Sequence, residues 1–187
     1  MTQEDAGGHL FVQAPLLASD VMSGAGLGFR VATLEDQAFM RSLYAEGREA
    51  ELAQTGWPES LKQGFLDQQF QLQNRHYAAH HPHADRLILT DLNRGVGEQR
   101  IGRLYLDRTA PRWRLLELGL LTAWRSRGFG GLLLDSLAQA ASTQGAAAID
   151  LSVAVDNPRA QALYVRHGYR FEASGASTHR SMSRSFS

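Results

Sequence analysis

Seven residues, Arg125-Ser126-Arg127-Gly128-Phe129-Gly130-Gly131, stand between the apolar run Leu115–Leu121 and the amphipathic stretch Leu132–Thr143. Glycines at 128 and 130 let the backbone approach a ligand closely and turn with unusual φ. The unpaired N–H groups that open the next helix, with its dipole, favour an anion, and a pyrophosphate suits that geometry. Arg125 and Arg127 add charge-assisted contacts. Two common phosphate loops do not fit. A P-loop needs Gly-Lys-Ser/Thr where Gly131-Leu132 stands, and the dinucleotide fingerprint needs a third glycine where Leu133 stands. The bland alternative is a tight strand–helix connection with a surface arginine pair.

Other chemistry-bearing residues are sparse. Glu117 is the only acid within Leu115–Leu121. It is either a proton acceptor, the partner of a neighbouring-strand arginine such as Arg103, or a group acting through water. Asn157 precedes Pro158 and suits a helix N-cap. His76, His80, His81 and His83 crowd around Pro82. Two of them, His76 and His80, share a helix face, but no acid is placed beside them as in His-Glu-x-x-His, and Pro82 breaks the helix. A surface helix end, with no metal, is the expectation.

These residues need elements to position them. A strand is expected at Gly28–Ala32, then a helix entered through Thr33 with acids in its first turn and apolar residues at Leu34, Ala38, Phe39, Leu43 and Tyr44. A second helix should span Glu59 to about His80, after Gly56-Trp57-Pro58. Strands near Arg86–Thr90 and Arg100–Asp107 flank a turn at Asn93–Gly97 and should pair antiparallel. Then follow the strand Leu115–Leu121, the helix Leu132–Thr143, a strand at Ala147–Val155, and a helix over Asn157–His167 stopped by Gly168. Tyr169–Ala173 and Thr178–Arg184 should close the chain as a hairpin. The order is β-α-α-β-β-β-α-β-α-β-β, a mixed α/β fold with a largely antiparallel central sheet. Residues 1–27, with Gly7-Gly8 and Ser23-Gly24-Ala25-Gly26, are expected to be a flexible leader, leaving 28–187 as one domain.

Composition sets outer bounds. The chain has 187 residues, enough for one domain with a sizeable core. Nineteen basic and nineteen acidic side chains cancel, which gives no support to nucleic-acid binding. There is no cysteine, so thiolate nucleophiles, zinc–thiolate sites and disulfides are excluded. No apolar run approaches the roughly 20 residues of a membrane helix, and the acidic start at Glu4 and Asp5 does not look like a signal peptide. A cytoplasmic location is the expectation.

The pattern Arg125-x-x-Gly128-x-Gly130 resembles the acyl-CoA loop of the GNAT superfamily of N-acetyltransferases. A second signature follows: Asn157-x-x-Ala160-x-x-Leu163-Tyr164, then Gly168-Tyr169-Arg170-Phe171. The N-terminal half is similar to one bacterial subgroup through Leu43-Tyr44, Gly56-Trp57-Pro58, Phe70, His76-Tyr77 and Gly102-Arg103-Leu104-Tyr105. The resemblance covers residues 28 to 185. It implies helices on both faces of the sheet, acetyl-CoA as cosubstrate, and a small-molecule or peptide amine as acceptor, which attacks the acetyl thioester directly.

The same resemblance implies residue roles. Backbone groups of Leu120 and Leu121 would bond the pantetheine amides, and backbone N–H groups from Ser126 to Gly131, Phe129 included, would take the pyrophosphate. Asn157 would touch the pantetheine. Tyr164 would be the general acid beside the sulfur, its alternative being a core tyrosine, and Glu117 would be the base. The acceptor would enter near Glu46, Glu49, Glu51, Trp57, Phe65 and Tyr77, a set suited to a cationic amine. A non-catalytic acyl-CoA sensor is the competing reading. A homodimer is common in such folds, though no residue in the sequence argues for one.

Overall fold

The computed structural model describes residues 22, 24–93, 99–173 and 178–186. Seven strands form one sheet: β1 (Leu27–Val31), β2 (Asp85–Asp91), β3 (Gln99–Asp107), β4 (Arg112–Leu120), β5 (Ala148–Ala154), β6 (Arg170–Phe171) and β7 (His179–Ser185). Four helices accompany them: α1 (Gln37–Ala53), α2 (Glu59–His80), α3 (Phe129–Thr143) and α4 (Pro158–Arg166). The spatial order is β1-β2-β3-β4-β5-β7-β6, so β7 slips between β5 and its hairpin partner β6. Every pairing is antiparallel except β4 with β5.

Strand alternation sorts the core onto two faces. Leu87, Leu104, Leu106 and Leu115 pack with Leu134 and Leu137 of α3, and Tyr164 of α4 lies against the same cluster. Ile88 and Tyr105 point the other way, onto Met40 of α1 and Phe70 of α2. Helices therefore cover both faces, as expected.

Differences from expectation fall at element ends. The helix α3 starts at Phe129, so Gly130 and Gly131 belong to its first turn and not to the loop. Residues 1–21 and 23 of the expected leader lie outside the described residues, as do 94–98, most of the expected turn. Met22 and Leu27 are both buried with Leu89, Ile101 and Leu133, so the packed domain takes in residues assigned to the leader. Among the described residues no helix is long and apolar enough to cross a membrane.

One irregularity governs the centre of the sheet. Tyr105 faces Glu117 and Leu106 faces Leu115, leaving Leu116 as an extra residue in β4. Such a bulge bends its strand and raises the local twist. The parallel β4–β5 ladder stops at Leu115 and Leu151, immediately before it. From there the two strands part. The Leu116 carbonyl, displaced from the regular ladder, accepts a hydrogen bond from the Tyr77 hydroxyl of α2 at 3.2 Å.

The entry to α1 is fixed by Asp36. Its carboxylate accepts from Arg30 of β1 at 2.7 and 2.8 Å, from Arg100 of β3 at 3.2 Å, and from the Thr33 amide at 2.8 Å. Thr33 is the N-cap, as expected, and forms a reciprocal capping box with Asp36 three residues on. Arg30 foremost, against the opposing effect of burial, holds the Asp36 carboxyl well below the usual carboxylate range. Asp36→Asn should lower stability by about 2–3 kcal/mol at neutral pH. Because the folded-state pKa is depressed, this contribution is whole above the unfolded value of about 4 and is lost as pH falls below it. Thermal unfolding of both proteins should show a gap at pH 7 that narrows toward pH 3.

Candidate active site

Where β4 and β5 part, a cleft of about 680 Å³ opens, walled by Leu118, Gly119 and Leu120 of β4, by the loop after it, and by α1 and α4. Successive residues of an antiparallel strand turn their backbone groups alternately to opposite sides. Leu121 gives its N–H to the Ile101 carbonyl at 2.9 Å, and its own carbonyl accepts from the Trp124 N–H at 2.8 Å. Both its backbone groups are committed, and the expectation for Leu121 as a ligand contact is corrected accordingly. Leu120 and Leu118 present theirs to the cleft. The Leu120 carbonyl already accepts from Arg125 Nε at 2.8 Å, which draws that side chain along the cleft wall. Strand period alone would have pointed to Leu118.

The Arg125–Gly131 loop makes its turn with two left-handed residues, Ser126 at φ 61° and Gly128 at φ 86°. Gly128 is the N-cap of α3, and no side chain caps that helix. A Cβ on Gly128 would meet nothing within 4 Å, because the residue faces open space. Gly130 and Gly131 serve a different purpose. A Cβ there would come within 3.2 Å of Leu163 and 2.7 Å of the His167 ring, so these two glycines let α3 and α4 pack closely. Arg125, Ser126, Gly128, Gly130 and Gly131 all line the cleft, whereas Arg127 and Phe129 do not. The Arg127 guanidinium lies over the Trp124 ring at 4.6 Å and the Phe129 ring at 5.3 Å. The positive charge expected from Arg127 comes instead from α4, through Arg159 and Arg166. Arg159 also donates to the Ser126 hydroxyl, tying α4 to the loop. No spacing rule in the loop itself could have found these two arginines, which lie more than thirty residues downstream.

Helix α1 clamps the other side. Glu46 accepts from the Thr122 amide at 2.8 Å, and Leu43 packs against Gly119. Asn157 lines the cleft while its Oδ1 accepts from the Ala160 amide at 3.0 Å, so the cap and the cleft position coincide in one residue.

Glu117 also lines the cleft, and its Oε1 accepts from Arg103 Nε at 2.9 Å and from the same guanidinium's Nη2. Arg103 is 1% exposed and donates further to the Met40 carbonyl and to Gln73, both at 3.3 Å. The Glu117 Oε2 is buried without a hydrogen-bond partner among the described residues. Tyr164 does not line the cleft. It lies just behind Ala160 and Leu163, which do, with its ring 5.7 Å from that of Tyr169. Burial first, and then the negative charge of Glu117, push its phenol up to about 12. It therefore stays protonated at neutral pH and holds a proton to give.

A second pocket of about 550 Å³ shares Tyr44, Arg48 and Gln73 with the cleft and continues past Leu116. Of the residues expected to receive the acceptor, only Tyr77 lines it. Glu46 is engaged with Thr122, Glu51 pairs with Arg48 at 2.9 Å, and Glu49 is exposed. Trp57 and Phe65 pack edge to face at 5.4 Å away from the pocket wall. The rings of His76 and His80 stack at 4.3 Å, and among the described residues no group of three or more His, Asp or Glu could hold a metal ion.

The open face of Gly128 separates backbone strain from ligand exclusion. Gly128→Ala should cost about 1 kcal/mol through its left-handed φ. Gly128→Glu adds bulk and negative charge where an anion would sit. Calorimetric titration with acetyl-CoA should show Gly128→Glu binding at least about a hundredfold more weakly than Gly128→Ala; equal affinities would reject the loop as an anion site.

The sequence matches the model of the acetyltransferase (GNAT) family over residues 48–169. Among curated proteins, none matches it. Solved structures with the same fold include the PaiA N-acetyltransferase of Thermoplasma acidophilum in complex with coenzyme A. It is 16% identical, with a TM-score of 0.63 over 86% of this chain and 99% of that one. The spermidine N-acetyltransferase of Vibrio cholerae with CoA and spermine is 20% identical, with a TM-score of 0.56 over 85% and 95%. An acetyltransferase of Thermus thermophilus is 18% identical, with a TM-score of 0.60 over 86% and 97%. At these identities the likeness carries the fold, while the family follows from a match spanning well over half of the chain: it belongs to the acetyltransferase (GNAT) family.

Proposed function

We propose that this N-acetyltransferase binds acetyl-CoA along the cleft between β4 and β5 and passes the acetyl group directly to a primary amine entering from the second pocket. The observation that carries this reading is that the two cavities meet at Tyr44, Arg48 and Gln73, and that Glu117 lines the first of them with one carboxylate oxygen left without a hydrogen-bond partner among the described residues. The pantetheine amides are matched by the backbone groups of Leu118 and Leu120. The pyrophosphate is matched by the uncapped first turn of α3, with Arg125, Arg159 and Arg166 beside it.

An ammonium cannot attack a thioester, so a proton must first leave. Glu117 Oε2 accepts it, directly or through one water, while Arg103 fixes the carboxylate through Oε1. The ion-pair and base readings of Glu117 thus describe its two oxygens. The amine nitrogen then bonds to the carbonyl carbon, the C–S bond breaks and the thiolate leaves; the nitrogen sheds its second proton to water, a proton from water restores the Tyr164 phenol after its donation, and Glu117 returns the first proton to solvent. Tyr164 donates a proton to the departing sulfur from behind the cleft wall, a small displacement of α4 side chains bringing its hydroxyl into reach. Acetylated amine and free coenzyme A are the products, with one proton released to solvent.

Thiol release on mixing acetyl-CoA with candidate amines tests the reaction. Tyr164→Phe should lower kcat by roughly a hundredfold and leave acetyl-CoA affinity within about twofold. Since its phenol is pushed up to about 12, the rate should show no alkaline loss from this group below about pH 10. An unchanged kcat in the variant would remove Tyr164 from the mechanism. Thiol release that never occurs, despite tight acetyl-CoA binding, would favour the non-catalytic sensor.

A further inference from the structure

The acceptor pocket has an unusual charge pattern for an amine site. Its described lining includes Arg48, Arg114, His76, His81 and His179, with Gln69, Gln73 and Ser152 as further polar groups, and no carboxylate. The acids nearest to it are engaged. Glu51 pairs with Arg48 at 2.9 Å, and Asp107 accepts from His81 at 2.7 Å and from Thr109. Asp150, the neighbour of Arg114 across the β4–β5 ladder, is held by Arg112 through both oxygens at 2.9 and 2.6 Å. Glu117 lines the cofactor cleft and is not part of this wall.

Two arginines retain unused donors. The Arg114 side chain makes no hydrogen bond or ion pair among the described residues, because Asp107 and Asp150 on either side of it are taken. Arg48 lines both cavities. Its Nη1 donates to the Tyr44 hydroxyl and its Nη2 to Glu51, but its Nε is buried with no partner. A guanidinium fork with free donors fits the paired oxygens of a carboxylate or a phosphonate, and a second ammonium in its place would be repelled.

We infer that the acceptor carries an anionic group, a carboxylate or phosphonate, on the side away from its reacting amine, and that Arg114 and Arg48 bind it. The substrate class is a zwitterionic amine of amino-acid type, not a polyamine. Its two ends find opposite charges, the ammonium at Glu117 and the oxyanion at the arginines, and this sets the amine toward the thioester. The expectation of a cationic acceptor held by Glu46, Glu49 and Glu51 is replaced.

The inference rests on the acetyltransferase reading, and the test keeps the two apart. Thiol release would be measured with matched pairs, amino acids against their carboxamides and an aminoalkylphosphonate against the alkylamine, with spermidine as the polycation. The acidic member of each pair should have at least a tenfold higher kcat/KM. Arg114→Gln should shrink that preference severalfold by raising KM for the acidic member, and Arg114→Lys should restore part of it. Equal turnover within pairs, preference for the carboxamides or spermidine, or no turnover of any acidic amine by protein that binds acetyl-CoA would overturn the inference. Failure to bind acetyl-CoA in calorimetry would instead sink the acetyltransferase reading itself.

Discussion

At Leu116 the β4 strand carries one residue more than its β3 partner requires, and β5 can follow it no further than Leu115. A sheet that stayed closed here would bury its backbone groups in a ladder and leave no cleft. Because the strands part, Leu118 and Leu120 turn their backbone groups to the cleft, the Leu120 carbonyl bonded to Arg125 Nε, as a strip of polar backbone set in an apolar wall. Buried backbone groups need partners, and an extended amide-bearing ligand supplies them in the manner of an added strand. The Tyr77 hydroxyl on the displaced Leu116 carbonyl links this irregularity to α2, so the helix lining the second pocket also holds the bulge at which the cleft opens.

Charge is arranged around the same opening. Arg103 rises from β3 into a nearly dry site between the rings of Phe70 and Tyr105, at 5.8 and 5.4 Å. A guanidinium there is tolerable only with several acceptors, and it has the Met40 carbonyl, Gln73 and Glu117. Glu117 thereby has one oxygen anchored and one free. Its negative charge is also felt by Tyr77 and Tyr164, adding to the effect of burial that raises both phenols.

Much of this was legible in the sequence for identifiable reasons. Elements with firm stops or turn signals, such as the helix ended by Gly168 and the strands β2 and β3 on either side of an Asn- and Gly-rich turn, are found close to where they were expected. Arg125, Gly128 and Asn157 line the cleft because local geometry dictates their positions: a left-handed turn, a helix start and a cap. What escaped depends on contacts between distant segments. Arg127 turned to the Trp124 and Phe129 rings, while Arg159 and Arg166 entered from a helix whose approach only the tertiary fold reveals. The acids of α1 suggested a cationic acceptor, yet Glu46 is spent on the Thr122 amide and Glu51 on Arg48. A one-residue bulge leaves no trace in an apolar run such as Leu115–Leu121, so the strand's most consequential feature was invisible there.

Amide hydrogen exchange with and without saturating acetyl-CoA tests most directly whether the parted edge of β4 is the binding surface. Added ligand should slow exchange at Leu118 and Leu120 and at the first-turn amides of Phe129, Gly130 and Gly131, with little change at Leu121, already bonded to Ile101. Binding that leaves the β4 amides as fast as before, with protection elsewhere, would contradict the account.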